Sequence, residues 1–194
     1  MSYLKNLNAA LTDFGRNVIS KSRSNLTRQK KKVTGDLYRN LSYKVKEAGS
    51  SVYVIFDLGS YGEFVDKGVK GSDPSIIDRW TKNRKGGPRK GIQKAPLSPY
   101  SFKSKYPPMK PLAAWAKKKN FRLRDKKGRF VKGNYQSIGF VLSKFIFAQG
   151  IKPSYFFTNP YNVAYSKLPP KASQAFAFDL VETIRAAFNN KEKV

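Results

Sequence analysis

The chain has neither cysteine nor histidine and only 12 acidic side chains in 194 residues. Without thiols there is no disulfide framework, no thiolate metal ligand and no thiol nucleophile. Without imidazole the usual zinc sites, the Ser-His-Asp and Cys-His relays and the side chain best suited to proton shuttling at neutral pH are excluded as well. Most hydrolase chemistry is thereby removed. No stretch approaches the roughly 20 apolar residues that span a bilayer. Met1 to Arg23 also lacks an apolar core of signal-peptide length, so the expectation is a chain made in solution in a cytoplasm, with no membrane partner. A P-loop, a glycine-rich dinucleotide fingerprint and a serine elbow are missing too, because Arg84-Lys85-Gly86-Gly87 is not followed by the Lys-Ser/Thr of a phosphate cradle. No cofactor, metal or catalytic residue is expected, and the chain reads as a non-enzyme.

What is present is aromatic and basic. Fourteen Phe and 11 Tyr are too many for a disordered polyelectrolyte, and the length suits one domain or one domain with a large insertion. The net charge of +27 demands something acidic nearby, and +17 of it lies between Lys82 and Lys132, where 18 Lys or Arg face one acid, Asp125. The Gly and Pro density from Asn83 to Pro108 breaks helices and central strands. Residues 69–108 therefore read as a long loop or extended arm, mobile in a free subunit and ordered by a partner. After it, Lys110–Lys119 reads as a short helix with Pro111 in its first turn and lysines at its end. Arg122–Lys132 reads as a turn or small hairpin around Lys127-Gly128.

On either side the periodicities are those of a folded α+β domain. Leu4, Leu7, Leu11, Phe14 and Val18 form one face of a helix over 2–22. Leu41, Tyr43 and Val45 alternate, Ala48-Gly49-Ser50-Ser51 supplies a turn, and Val52–Phe56 is an apolar run, which together predict an antiparallel hairpin. The second strand, apolar on both faces, is expected to be central and covered. Helices are predicted over 135–149, ended by Gly150, and over 173–188 through Phe176, Leu180, Ile184 and Phe188. The fold class is thus α+β: a small antiparallel β-sheet packed by an N-terminal helix and C-terminal helices, with a long basic insertion. The core domain comprises 1–68 and 133–194, the insertion 69–132. Leu37, Val54, Phe56, Phe145 and Leu180 are expected in the core.

Three separated pieces carry a resemblance. Thr34-Gly35-Asp36-Leu37-Tyr38-Arg39-Asn40-Leu41 resembles a Thr-Gly-x-Leu run leading into a first strand. Tyr61-Gly62-Glu63-Phe64-Val65-Asp66-Lys67-Gly68 resembles a Tyr-x-x-Phe/Val-Glu-x-Gly stretch after the second, with Asp66 where Glu is common. Gly150-Ile151-Lys152-Pro153-Ser154-Tyr155-Phe156-Phe157 resembles a Gly-Ile-x-Pro-x-x-Phe-Phe stretch before the final helix. In this order they are similar to the tail-completion or head-tail joining (neck) proteins of tailed bacteriophages, over about half of the chain; residues 69–134 are longer and more basic than in the compact members. The resemblance implies a structural virion protein of the phage neck or tail and no catalytic residue. It implies a homo-oligomeric, hexameric ring around the tail axis, between head-closure or connector proteins and the tail tube or tail terminator protein.

Candidate partner contacts are Tyr61, Phe64, Arg84, Lys85, Arg89, Lys90, Tyr100, Phe102, Tyr106 and Trp115. Tyr100, Phe102 and Tyr106, interleaved with Lys103 and Lys105, suit either an acidic protein neighbour or genomic DNA. The alternative function is a nucleic-acid-binding protein using this basic arm, although no helix-turn-helix, finger or RNA-binding signature accompanies it. A nuclease would need clustered carboxylates, and Asp57, Glu63, Asp66, Asp73 and Asp78 are close in sequence; the bland reading is that they are local charge partners.

Overall fold

Helix α1 (Lys5–Arg28) buries Leu11, Phe14, Val18, Ile19, Ser22 and Leu26, so its apolar face runs about one turn beyond the predicted end at 22. The computed structural model describes residues 4–31, 35–49, 51–82, 90–124, 127–131 and 134–191. After α1 come α2 (Asp36–Asn40), β1 (Ser42–Ala48), β2 (Ser51–Asp57), α3 (Gly62–Lys67), β3 (Val69–Lys70) and α4 (Ser75–Thr81). Then follow α5 (Met109–Lys118), β4 (Leu123–Arg124), β5 (Phe130–Val131), α6 (Tyr135–Gln149), β6 (Gly150–Ile151), α7 (Thr158–Tyr165) and α8 (Leu168–Lys191). The class is α+β, as expected. Among the described residues the strands form three two-stranded antiparallel ladders, β1–β2, β3–β6 and β4–β5.

Two compact units result, one from residues 1–60 with 156–194 and the other from 61–155. Composition had suggested boundaries at 68 and 133. They fall elsewhere because charge marks surface and not packing: α6 packs on α5, and β6 pairs with β3, so both flanks of the basic segment fold with it.

In the first unit the hairpin closes in the register Tyr43↔Phe56, Val45↔Val54 and Ala48↔Ser51. Its inner face, with Tyr43, Val54 and Phe56, lies on α1, and Phe14, Val18 and Ala164 form the buried centre under Val54, Phe56, Phe157, Tyr161 and Leu168. Phe56 touches four rings, those of Phe14 (5.8 Å), Tyr43 (6.4 Å), Phe157 (5.2 Å) and Tyr161 (5.9 Å), mostly edge to face as ring quadrupoles prefer. The other face of β2 is not covered: Tyr53 and Ile55 are 52% and 48% exposed. The strand expected to be central is instead half of a two-stranded ribbon, with one helical layer beneath it. Phe156 is fully buried and Phe157 packs on the core, whereas Tyr155 is exposed.

Helix α8 overturns a second expectation. Asp179 is its buried residue among those described, and Ala175 and Ala172, one and two turns earlier on the same side, are half-buried. The Asp179 carboxylate accepts hydrogen bonds from Asn6 N, Leu7 N and Asn6 Nδ2, each 2.8 Å, and so caps the first turn of α1, which no local side chain caps. Burial would raise its pKa, but these three hydrogen bonds outweigh burial and hold it below the ordinary carboxylate value. With the small face inward, Phe176, Leu180, Ile184 and Phe188 point outward, and Leu180, expected in the core, is 50% exposed.

In the second unit α5 and α6 cross closely at Gly139, where a Cβ would stand 2.7 Å from Met109 O and 3.0 Å from Ala113 Cβ. Helix α6 has the predicted limits, Asn134 accepting from Gln136 N at its start and Gly150 (φ +84°) at its end. The short hairpin around Gly128 (φ +83°) is present as β4–β5. The segment read as a free arm is not one where it is described. Lys70 N donates to Tyr100 O (2.8 Å), Phe102 N to Lys70 O (3.0 Å) and Lys94 N to Gln149 O (2.8 Å). Gln93 bonds both backbone groups of Gly71, and Tyr106 stacks on Phe147 at 4.1 Å. Residues 75–81, read as part of the loop, form helix α4, whereas the Gly/Pro-rich residues 90–108 make no helix of their own and satisfy their backbone by lying along β3 and the end of α6.

Candidate assembly surfaces and the basic surface

Tyr61–Gly68 and Gly150–Tyr155, from two of the three resembling pieces and some 80 residues apart in sequence, are built into one corner of the second unit. Tyr61 precedes helix α3 (Gly62–Lys67), which stops at Gly68, whose φ of +73° is open to glycine and whose missing Cβ would lie 2.4 Å from Ile151 O. Gly62, by contrast, is a buried helix residue without a positive φ. Val69 and Lys70 then pair with Ile151 and Gly150. Beyond the ladder, Ser154 N donates to Val65 O (3.2 Å) and Asp66 O (3.0 Å), Ser154 Oγ to Val65 O (2.6 Å), and Tyr155 N to Asp66 O (2.9 Å). The first piece lies in the other unit, where Gly35 (φ +84°) turns the chain into α2 with Leu37 buried.

The candidate contact residues divide. Tyr61 and Phe64 are exposed, Phe64 meets Tyr100 edge to face at 4.6 Å, and the Tyr100 hydroxyl donates to Glu63. That hydrogen bond, with burial and the carboxylate's charge behind it, raises the Tyr100 pKa. Phe102 and Tyr106 both pack on Phe147, the former at 6.1 Å, and Trp115 packs on Phe121 at 5.0 Å; these three serve the unit's own packing as much as a partner. Lys90 is exposed. Arg84, Lys85 and Arg89 lie outside the described residues.

The acids do not assemble. Asp57 accepts from Gly59 N and Asp73 from Ser75 N and Oγ and from Arg79, within local turns, while Glu63 accepts from the Tyr100 hydroxyl and Asp78 from Gly91 N across the fold. Among the described residues no group of three or more metal-ligating side chains is found.

No family model, curated protein or solved structure matches this chain. Two surfaces were missed by sequence reasoning. One is the outward face of α8, where Phe176, Leu180, Ile184 and Phe188 are between 47% and 66% exposed. Their spacing was visible, and the opposing Ala172, Ala175 and Asp179 were the signal that this face points away from the domain. The other is the corner after α5, where Arg124 lies over the Phe130 ring at 4.1 Å and Arg122 at 5.8 Å, with Phe130 58% exposed.

Proposed function

We propose that this chain is a structural subunit of a tailed bacteriophage, joining the head connector to the tail as one member of a ring of copies. The observation that carries the proposal is the corner in which Tyr61–Gly68 and Gly150–Tyr155 are hydrogen-bonded together. Two stretches that resemble the joining proteins as separate motifs are paired through their backbones here, which supports reading them as one functional element. The outward apolar face of α8 supports an assembling subunit in particular, since four large side chains in one row are covered at no cost when a neighbouring subunit packs on them.

The test is removal of the chain from the phage that encodes it. DNA-filled heads and finished tails should accumulate apart, and adding the purified protein to a mixed extract should restore joined particles. Normal tailed particles without it would overturn the proposal. A second reading, a nucleic-acid-binding module, is favoured by the exposure of every described Lys and Arg between Lys90 and Arg129.

A further inference from the structure

From Arg79 to Phe178 the chain contains a single acidic residue, Asp125. Within that stretch the cations are densest just after α5. Lys117, Lys118 and Lys119 end the helix, Phe121 N donates to Ala116 O and turns the chain back, and Trp115 covers Phe121 from one side. The β4–β5 hairpin then brings Arg124 to 4.1 Å and Arg122 to 5.8 Å from the centre of the Phe130 ring, and Arg124 is held by a hydrogen bond to Gly128 O at 2.9 Å. All five of these Lys and Arg side chains are exposed.

The bland account is a solvated basic face. A helix C-terminus does favour lysines, which explains Lys117 and Lys118 but not the guanidiniums on a hairpin beyond the reach of the dipole. Nor does solubility call for Phe130, left 58% exposed beneath two guanidiniums. A protein partner is disfavoured by composition, because interface centres are apolar and depleted in lysine, and here the reverse holds. Phosphates fit better on three counts. Guanidinium forks match phosphate oxygens, lysines act as point charges beside them, and the crowding of like charge is relieved when a polyanion gives up its own counterions. An exposed aromatic ring among the cations adds a face on which an unpaired base can stack.

We propose that the end of α5 and the β4–β5 hairpin form a nucleic-acid-binding surface that grips the phosphate backbone without reading sequence. The surface stands independently of the joining role and would exist whichever partners the rest of the chain meets.

The test uses the full-length protein and fluorescence anisotropy on labelled duplex DNA, with single-stranded DNA of equal length as a second arm. If five cations meet phosphates, duplex affinity should fall by about 500-fold between about 50 mM and about 200 mM salt. The variant Lys117→Gln/Lys118→Gln/Lys119→Gln/Arg122→Gln/Arg124→Gln should lose most of that salt slope. A control that removes as many exposed charges from the other unit, Lys5→Gln/Lys21→Gln/Lys44→Gln/Lys46→Gln/Lys171→Gln, should keep it. If the first variant fails to fold by circular dichroism, Lys118→Glu/Arg122→Glu is read in the same way. Tighter binding of the single strand assigns Phe130 a stacking role, and equal binding assigns the phosphates alone; both retain the surface. Three results overturn it: no binding of either DNA at low salt, equal losses in the two five-site variants, or polyglutamate competing as well as DNA.

Discussion

Phe56 is the residue on which the first unit's packing turns, since its ring meets Phe14, Tyr43, Phe157 and Tyr161 at once. Replacing it by Ala should cost about 2 to 4 kcal/mol, below the range for a fully buried phenylalanine because the ring is only partly covered. A urea melt monitored by near-UV circular dichroism measures this, and a near-neutral shift would disprove the assigned hairpin packing. Asp179 acts at the same scale by a different force. Its folded pKa lies below its unfolded value, so its stabilising contribution is complete above about pH 4 and is lost as the pH falls through the folded pKa. Asp179→Asn should therefore be less stable than the parent chain by about 1 to 3 kcal/mol at neutral pH, with the gap closing in acid. A gap that is constant with pH would show that the charge on the cap does not matter.

Among the elements, α8 separates folding from assembly. Its inner face is small, with Ala172 and Ala175 half-buried and Asp179 hydrogen-bonded to α1, while its outer face is large and apolar. Leu180→Gln/Ile184→Gln should leave the free subunit's stability within about 0.5 kcal/mol per site, as for other surface changes. The same variant should fail to restore joined particles in the extract assay. Ala175→Leu, on the opposite face, should instead destabilise the subunit by about 1 to 3 kcal/mol through overpacking. Thermal melts of the two variants distinguish the faces. A large loss of stability in the outer-face variant would mean that this face packs within its own chain.

Over the whole molecule the net charge of +27 works against association of identical chains in dilute solution. The isolated protein should therefore sediment as a monomer at low salt and associate weakly as salt screens the repulsion, ring formation being driven by docking on its neighbours. Sedimentation equilibrium at several salt concentrations reads this directly. A tight dimer at micromolar concentration, insensitive to salt, would contradict it.

The sequence alone determined the elements whose signals are local. The 3.6-residue rows of α1 and α6, the Gly150 cap, the turn at Gly49 and the alternation of β1 each depend on neighbours a few positions away. It also revealed the second and third resembling pieces, though not that they touch, because pairing across some 80 residues leaves no periodicity behind. Which face of α8 points inward was decided only in three dimensions. Both faces can be buried, and the choice fell to the small one, where Asp179 could reach two backbone amides of α1 left bare by its missing cap. The fate of the basic segment was decided in the same way. From 90 to 108 its Gly and Pro disfavour regular structure but say nothing of an edge elsewhere, and the backbone of β3 and α6 supplied the partners that made this stretch a wall of the second unit.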